Sequence, residues 1–127
     1  MSLRPGLSAA VELVVTDDDT ALALRTGDVP VLATPRVVTL AEEASMLAID
    51  GRLADANTSV GYRVQLDHLA PTPVGGTVRA EATLESIEGR RLTFRVSVSD
   101  HHGLVAAGRI TRVIVERTRF MEKAGGD

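Results

Sequence analysis

The sequence predicts an α+β domain in which an antiparallel sheet of about five strands wraps one long central helix. One long stretch has helical periodicity, and the long apolar stretches that follow it alternate as half-buried strands do. The length of 127 residues fits one domain, and we expect residues 1–127 to form it without internal repeats. Because one sheet and one helix make a thin core, association with a second copy is expected.

The long helix is predicted over residues 33–50. Thr34 suits the N-cap, Pro35 suits the first helical position, where a missing N–H costs nothing, and Gly51 supplies the stop. Between these signals, apolar residues recur at spacings of three and four and cover most of the circumference: Val37, Leu40, Ala41, Ala44, Leu47 and Ala48. A helix with this pattern is expected to be buried.

Glu42 is the unusual residue of this helix. At about 100° per residue, Glu43 falls on the polar stripe with Thr39, whereas Glu42 falls between Val38 and Met46. A carboxylate among apolar neighbours is either a cost to the fold or a group retained for chemistry. The simpler interpretation also stays open, in which Glu42 lies at the rim of the polar stripe and its carboxylate reaches water.

The remaining elements follow from alternation and turn signals. Residues 9–16 are predicted as a first strand, and residues 20–32 as a surface connection that can cover a ligand. Residues 59–69 alternate as a half-buried strand that ends before a Pro-Thr-Pro run. Residues 122–127 are polar, and we expect them to fray. The strand over 59–69 is expected to form a four-strand meander with three more, at 77–87, 92–99 and 104–118.

The composition excludes several classes of function. The net charge is −3 and the arginines are scattered, and the aromatic residues are only Tyr62, Phe94 and Phe120, so nothing indicates a nucleic-acid partner. The absence of cysteine removes disulfides, thiolate catalysis and thiolate metal sites. Without an apolar run near 18 residues or a basic-then-apolar start, we expect a soluble, cytoplasmic protein with no membrane association.

The strand over 59–69 and the loop after it contain the next candidate site. His68 lies near the strand end, where a half-exposed, hydrogen-bonded side chain is the simpler interpretation and a role in chemistry the alternative. Gly61 marks either a bulge with close backbone approach or an N–H that faces a ligand. His101 and His102 fall in a turn, where solvated histidines are expected, and we assign them no role.

Several short runs of the sequence resemble the fluoroacetyl-CoA thioesterase family. Glu42 follows Thr34 by eight residues, and Gly61 and then His68 come next in the order typical of the family. The loop His-x-x-x-Thr-Pro, followed further along the chain by the turn Glu-Gly-Arg-Arg-Leu, is typical of that group rather than of hotdog proteins at large. The runs that carry the resemblance are 31–34, 68–73, 84–92 and 95–97.

The resemblance implies the hotdog fold and an acyl-CoA thioester hydrolase that acts as a homodimer. It implies a catalytic group of Thr34, Glu42 and His68, with Gly61 binding substrate. It implies no metal and no cofactor other than coenzyme A as part of the substrate. The implied sites lie at the interface of a twofold dimer, with Gly61 of one subunit near Glu42 of the other.

The roles of these residues stay open at the level of sequence. Glu42 can act as a nucleophile through an acyl anhydride or as a general base toward water. His68 can orient Glu42 or transfer protons, and Thr34 can donate to the carboxylate or simply cap the helix. A helix N-terminus or the Gly61 N–H can stabilise the oxyanion that develops on a thioester carbonyl.

The resemblance fails at one point that bears on the substrate. Family members that select the fluorinated acyl group have a phenylalanine-bearing segment before the helix, whereas residues 25–30 here contain no aromatic residue. We therefore expect a thioesterase for short or medium acyl-CoA esters with little fluoroacetyl selectivity. The alternative is a non-catalytic acyl-CoA-binding hotdog module. A hydratase is disfavoured, because Asp67 and His68 are adjacent and point to opposite faces of a strand.

Overall fold

A sheet of five antiparallel strands forms the body of the computed structural model, which describes residues 2–125. The strands β1 to β5 are, in chain order, Ser8–Val14, Asn57–His68, Thr77–Glu88, Arg91–Asp100 and Gly103–Glu116. The helices are α1 (Ala21–Leu24), α2 (Thr34–Ala48) and α3 (Arg117–Lys123), with a short 3-10 helix at Asp17–Asp19. The predicted long helix and five-strand sheet are thus confirmed.

The strand order in the sheet is β1-β3-β4-β5-β2. Strands β3, β4 and β5 form the predicted series of hairpins. The predicted four-strand meander is wrong for β2, which pairs with β5 and not with β3, its neighbour in sequence. A connection rich in proline and glycine, rather than a tight turn, separates β2 from β3 and so permits this distant pairing. Strands β1 and β2 are therefore the two edges of the sheet.

One face of the sheet packs against α2. Alternate residues of β3 and β4 on this face are buried: Val78, Ala80, Ala82, Leu84, Leu92, Phe94, Val96 and Val98. Their neighbours Arg79 and Glu81 are exposed on the other face, as the alternation predicts. From α2, Leu40, Ala41 and Ala44 complete the core, and the small alanine side chains allow close approach of helix and sheet.

The start and the exposed side of α2 differ from the prediction. The N-cap is Ala33, and no side chain caps the helix, so Thr34 and Pro35 occupy the first two helical positions. The interpretation of Thr34 as the N-cap is therefore wrong by one residue. Met46 and Leu47 are 50 % and 49 % exposed, so the helix is buried on one side only. Among residues 2–125, no helix has the length and apolar character needed to cross a membrane.

The last strand ends earlier than predicted, because the chain turns into α3. The carboxylate of Glu116 accepts hydrogen bonds from the N–H groups of Thr118 and Arg119, which caps the new helix. Residues 122 and 123 of the tail that we expected to fray belong to α3, and residues 126 and 127 lie outside the described part of the chain.

A network around buried Asp19 fixes the segment that leads into α2. Its Oδ1 accepts from Nε of Arg36 at 2.9 Å, and its Oδ2 accepts from the N–H of Thr16 at 2.8 Å. The N–H of Ala33 donates to the Asp19 carbonyl at 2.9 Å. Burial alone would raise the pKa of Asp19, but these hydrogen bonds and the Arg36 charge outweigh it and lower that pKa. The segment is thereby held against the first turn of α2.

Candidate active site

Thr34 and His68 meet where α2 begins and β2 ends. The hydroxyl Oγ1 of Thr34 lies 2.7 Å from Nδ1 of His68, within hydrogen-bond distance. Because Thr34 caps nothing, its side chain is free for this contact. The structure thus brings together two of the three predicted catalytic residues.

The imidazole of His68 is only partly accessible. Burial lowers the pKa of His68 below its ordinary value, and the nearby Ala70 backbone offsets part of this effect. Its second nitrogen, Nε2, is buried and has no hydrogen-bond partner among the described residues. Because Nε2 is buried, only a group that enters the space beside it can exchange a proton with it.

Glu42 lies beside a buried arginine. The Nη1 of Arg112 is 3.2 Å from Oε1 of Glu42, and the side chain of Arg112 is 6 % exposed against 33 % for Glu42. Arg112 also donates from Nε to the Ser59 hydroxyl at 2.9 Å and from Nη2 to the Ser59 carbonyl at 2.8 Å. The guanidinium therefore fixes the position of one carboxylate oxygen, while part of the carboxylate stays open to solvent.

Gly61 packs directly over the same carboxylate. A Cβ placed on Gly61 would lie 2.5 Å from Oε1 of Glu42, a distance that no side chain tolerates. A bulge between Gly61 and Arg63 changes the strand register beside this contact. We predicted that Gly61 of one subunit lies near Glu42 of the other, but the two residues meet within one chain. Strands β2 and β5 are neighbours, and Gly61 pairs with Arg112. Because Arg112 holds the Glu42 carboxylate, Gly61 lies beside that carboxylate in the same chain.

The four predicted site residues thus form two separate groups. One group is Thr34 with His68, and the other is Glu42 with Gly61. Thr34 and Glu42 are eight residues apart on one straight helix, which corresponds to about 12 Å between their Cα atoms. Among the described residues, no hydrogen bond joins Glu42 to Thr34 or His68, so the two groups do not form one connected site within the chain.

Arg112 and Ser59 are the site residues that the sequence analysis missed. Arg112 lies in the row of alternating β5 residues that faces α2, between Ile110 and Ile114. A charged residue in an otherwise apolar row of a predicted strand is the signal that identifies it. The partner of Arg112 was not predictable in the same way, because the pairing of β2 with β5 was not apparent from the sequence.

The arrangement offers the groups that acyl transfer requires. Glu42 supplies a carboxylate, His68 an imidazole and Thr34 a hydroxyl. In the first turn of α2, Pro35 has no N–H and the N–H of Arg36 donates to the Ala33 carbonyl, so the N–H of Thr34 is the backbone group that can stabilise an oxyanion. Among residues 2–125, no three His, Asp or Glu side chains cluster in a way that would hold a metal ion.

Comparisons with known proteins agree with this chemistry. The family model described as fluoroacetyl-CoA-specific thioesterase matches residues 15–118. A fluoroacetyl-CoA thioesterase from Streptantibioticus cattleyicolor is 37 % identical over 93 residues, which cover 73 % of this chain and 67 % of that protein.

Solved structures give the same result for the fold. The structure of the fluoroacetyl-CoA thioesterase FlK is similar with a TM-score of 0.90 and 32 % identity, covering 98 % of this chain and 96 % of that chain. A hypothetical protein from Thermus thermophilus, described as a thioesterase superfamily member, matches with a TM-score of 0.88 and 32 % identity, covering 95 % and 90 %. The predicted hotdog fold is therefore confirmed.

The lowered pKa of His68 predicts how stability depends on pH. The unfolded chain accepts a proton near pH 6.5, whereas the folded chain resists it, so the free energy of unfolding is at its full value above pH 6.5. It decreases as the pH falls from 6.5 through the lowered pKa. We expect His68→Gln, which cannot titrate, to reduce this dependence, as measured by urea unfolding at about pH 7.5 and about pH 5.5.

The control for this measurement is His102→Gln, which removes an exposed histidine and should leave the pH dependence of the wild type intact. Equal pH dependence in wild type and His68→Gln would contradict the assignment of a buried, neutral imidazole.

Proposed function

The chain belongs to the fluoroacetyl-CoA-specific thioesterase family, and we propose that it hydrolyses short or medium acyl-CoA esters with little preference for the fluoroacetyl group. It is a thioester hydrolase, as its named relatives are. The products of the proposed reaction are a free acid and CoA. No cofactor enters the reaction, since coenzyme A is part of the substrate.

The observation that carries the proposal is the carboxylate of Glu42, held by Arg112 and yet partly open. Arg112 as a whole residue is 5 % exposed, and burying its charge is costly unless the charge is paired. Glu42 supplies the pairing charge, and the part of its carboxylate that stays open to solvent is what hydrolysis requires and simple binding does not. The non-catalytic binding module therefore remains the second candidate, favoured only by the general versatility of the fold.

We assign Glu42 the central role in hydrolysis, by either of two routes. As a general base, Glu42 takes a proton from water while the oxygen adds to the thioester carbonyl, and the C–S bond then breaks to release the thiolate of CoA. As a nucleophile, Glu42 forms an acyl anhydride and expels the thiolate first, and water then cleaves the anhydride. In both routes the thiolate finally takes up the proton lost by water.

Thr34 and His68 are proposed to act at the carbonyl and at the leaving group. The N–H of Thr34 itself, at the start of α2, is proposed to hold the developing oxyanion. The imidazole of His68 is proposed to pass a proton to the sulfur. Gly61, which has no side chain, allows strand β2 to pass directly over the Glu42 carboxylate.

The separation of the two groups supports a site shared between two copies of the chain. Strand β2 is a sheet edge whose outer backbone groups lack a strand partner within the described chain. Apolar side chains are exposed on this edge and on the side of α2: Met46, Leu47, Tyr62 and Val64. Antiparallel pairing of two β2 edges about a twofold axis would cover both features.

Such a dimer can also complete the site. If the axis passes between Val64 and Gln65, the antiparallel register sets Gly61 of one strand opposite His68 of the other. Glu42, which lies under Gly61, then approaches the Thr34 and His68 pair of the partner. We propose that each active site combines Glu42 of one protomer with Thr34 and His68 of its partner.

The first test is the substitution Glu42→Gln. The amide keeps the shape and can still accept from Arg112, but it is neither base nor nucleophile, so we expect kcat to fall at least about 100-fold. Thiol release from a panel of acyl-CoA esters measures the effect, and thermal unfolding checks the fold. Glu43→Gln is the matched control, since Glu43 is exposed on the polar stripe and should retain activity. Comparable losses in both variants would refute the role of Glu42.

The second test mixes two inactive variants, Glu42→Gln and His68→Ala, after unfolding and refolding them together. In a mixed dimer with shared sites, one site receives intact Glu42, Thr34 and His68, so random twofold pairing restores about a quarter of wild-type activity. Sites confined to one chain restore none. A stable monomer in sedimentation at micromolar concentration, or no recovery in mixed dimers, would refute the shared site.

The third test concerns the fluoroacetyl group. Replacing hydrogen by fluorine changes size little, and size alone gives only about 1 to 3 kcal/mol per methylene-scale difference. With no aromatic residue in 25–30, we expect the ratio of kcat/KM for fluoroacetyl-CoA and acetyl-CoA to follow the ratio of their hydroxide hydrolysis rates. An enzymatic ratio more than about 100-fold above that reference, or about 2.7 kcal/mol, would contradict this expectation.

A further inference from the structure

A cavity of about 330 Å³ opens beside the Thr34 and His68 pair. Its walls come from residues 21–33 on one side and 69–71 on the other. The Asp19 network holds the first wall against α2, and an isolated bridge between Val31 and Pro73 ties the two walls together. The cavity therefore has defined walls and reaches the residues that we place at the thioester.

The walls of this cavity suit a hydrocarbon chain. Apart from Thr26, Thr34 and His68, every residue that lines it is apolar, and none carries an acidic or a Lys or Arg side chain. Several backbone N–H groups of the walls are already used, because Ala21 donates to the Val31 carbonyl and Thr26 to the Ala21 carbonyl. Few donors remain for the amides or phosphates of coenzyme A.

The cavity is larger than an acetyl group requires. An apolar cavity of about 150 Å³ accepts benzene, with six carbons. The present volume of about 330 Å³ is roughly twice as large. Two small residues, Ala21 and Gly27, pack closely against each other in its wall, since a Cβ on Gly27 would lie 3.2 Å from the Cβ of Ala21. An acetyl group would leave most of this space filled by water.

We propose that the cavity receives the acyl chain, that it favours linear chains of about four to eight carbons over acetyl, and that Ala21 and Val29 set the accepted length. The inference rests on the proposed thioesterase function and names its substrate class. Ala21 is 8 % exposed and faces the cavity, whereas Val29 is 49 % exposed and lies at its mouth. Each methylene that the cavity buries should raise kcat/KM about fourfold.

The experiment measures kcat/KM for acetyl-, butanoyl-, hexanoyl-, octanoyl- and dodecanoyl-CoA. We expect a rise of at least about 100-fold from acetyl to the optimum and no further rise beyond octanoyl. Ala21→Leu fills the cavity and should lower the octanoyl value at least about tenfold while acetyl changes less than about threefold. Val29→Ala enlarges the mouth and should shift the optimum to longer chains.

The matched control is Leu22→Ala, which changes a neighbouring side chain of α1 that is 50 % exposed and does not line the cavity. It should leave the chain-length profile unchanged. If Ala21→Leu fails to fold in thermal unfolding, Val29→Ala alone decides, because its shift has the opposite sign.

Two results would overturn the inference. A flat profile in the wild type would show that the acyl chain lies elsewhere. Equal losses for all chain lengths in Ala21→Leu would show that the cavity holds the pantetheine arm instead.

Failure of the proposed function is a different result, in which the wild type hydrolyses no ester. Calorimetric binding of hexanoyl-CoA and acetyl-CoA to Glu42→Gln then still tests the cavity, and equal affinities would refute it.

Discussion

The buried guanidinium of Arg112 is the constraint on which the candidate site depends. Burial lowers the pKa of Arg112, the charge of Glu42 opposes this effect, and the side chain is almost completely enclosed. A buried charge without partners would destabilise the fold by several kcal/mol. Both groups that satisfy it, Ser59 and Glu42, belong to the candidate site. The hydrogen bonds that satisfy the buried Arg112 of β5, to Ser59 of β2 and to Glu42 of α2, therefore also fix the position of Glu42.

Strand β2 and helix α2 carry all four predicted site residues, and the geometry of these two elements separates the residues into two groups. Strand β2 holds Gly61 near its middle and His68 at its end, and α2 holds Glu42 near its middle and Thr34 at its start. Because both elements are regular, neither can bring its two site residues together. The division follows from helix and strand geometry and not from any particular side chain. The proposed dimer, in which a second copy presents the complementary half, would join the two groups without distorting either element.

The sequence was sufficient for the parts of the molecule that depend on local patterns. The length of α2, the strands from Thr77 onward and the placement of Glu42 off the polar stripe all follow from periodicity. The pairing of β2 with β5 did not, because alternation identifies a strand but not its neighbour. The contact of Arg112 with Glu42 depends on that pairing and was missed for the same reason. Local preference places the hydroxyl of Thr34 at an N-cap, but in the structure this hydroxyl contacts His68, which lies 34 residues away and which no local pattern identifies.

The two proposals place chemistry and acyl choice in different parts of the chain. Glu42, Arg112 and Gly61 lie on α2, β5 and β2, which build the core. The cavity wall at 21–33 lies outside the sheet and is held by the Asp19 network. A substitution in that wall would change the volume of the cavity without removing a partner from the Arg112 network. An aromatic residue there would fill part of the cavity, whereas the alanine, glycine and valine present leave it open.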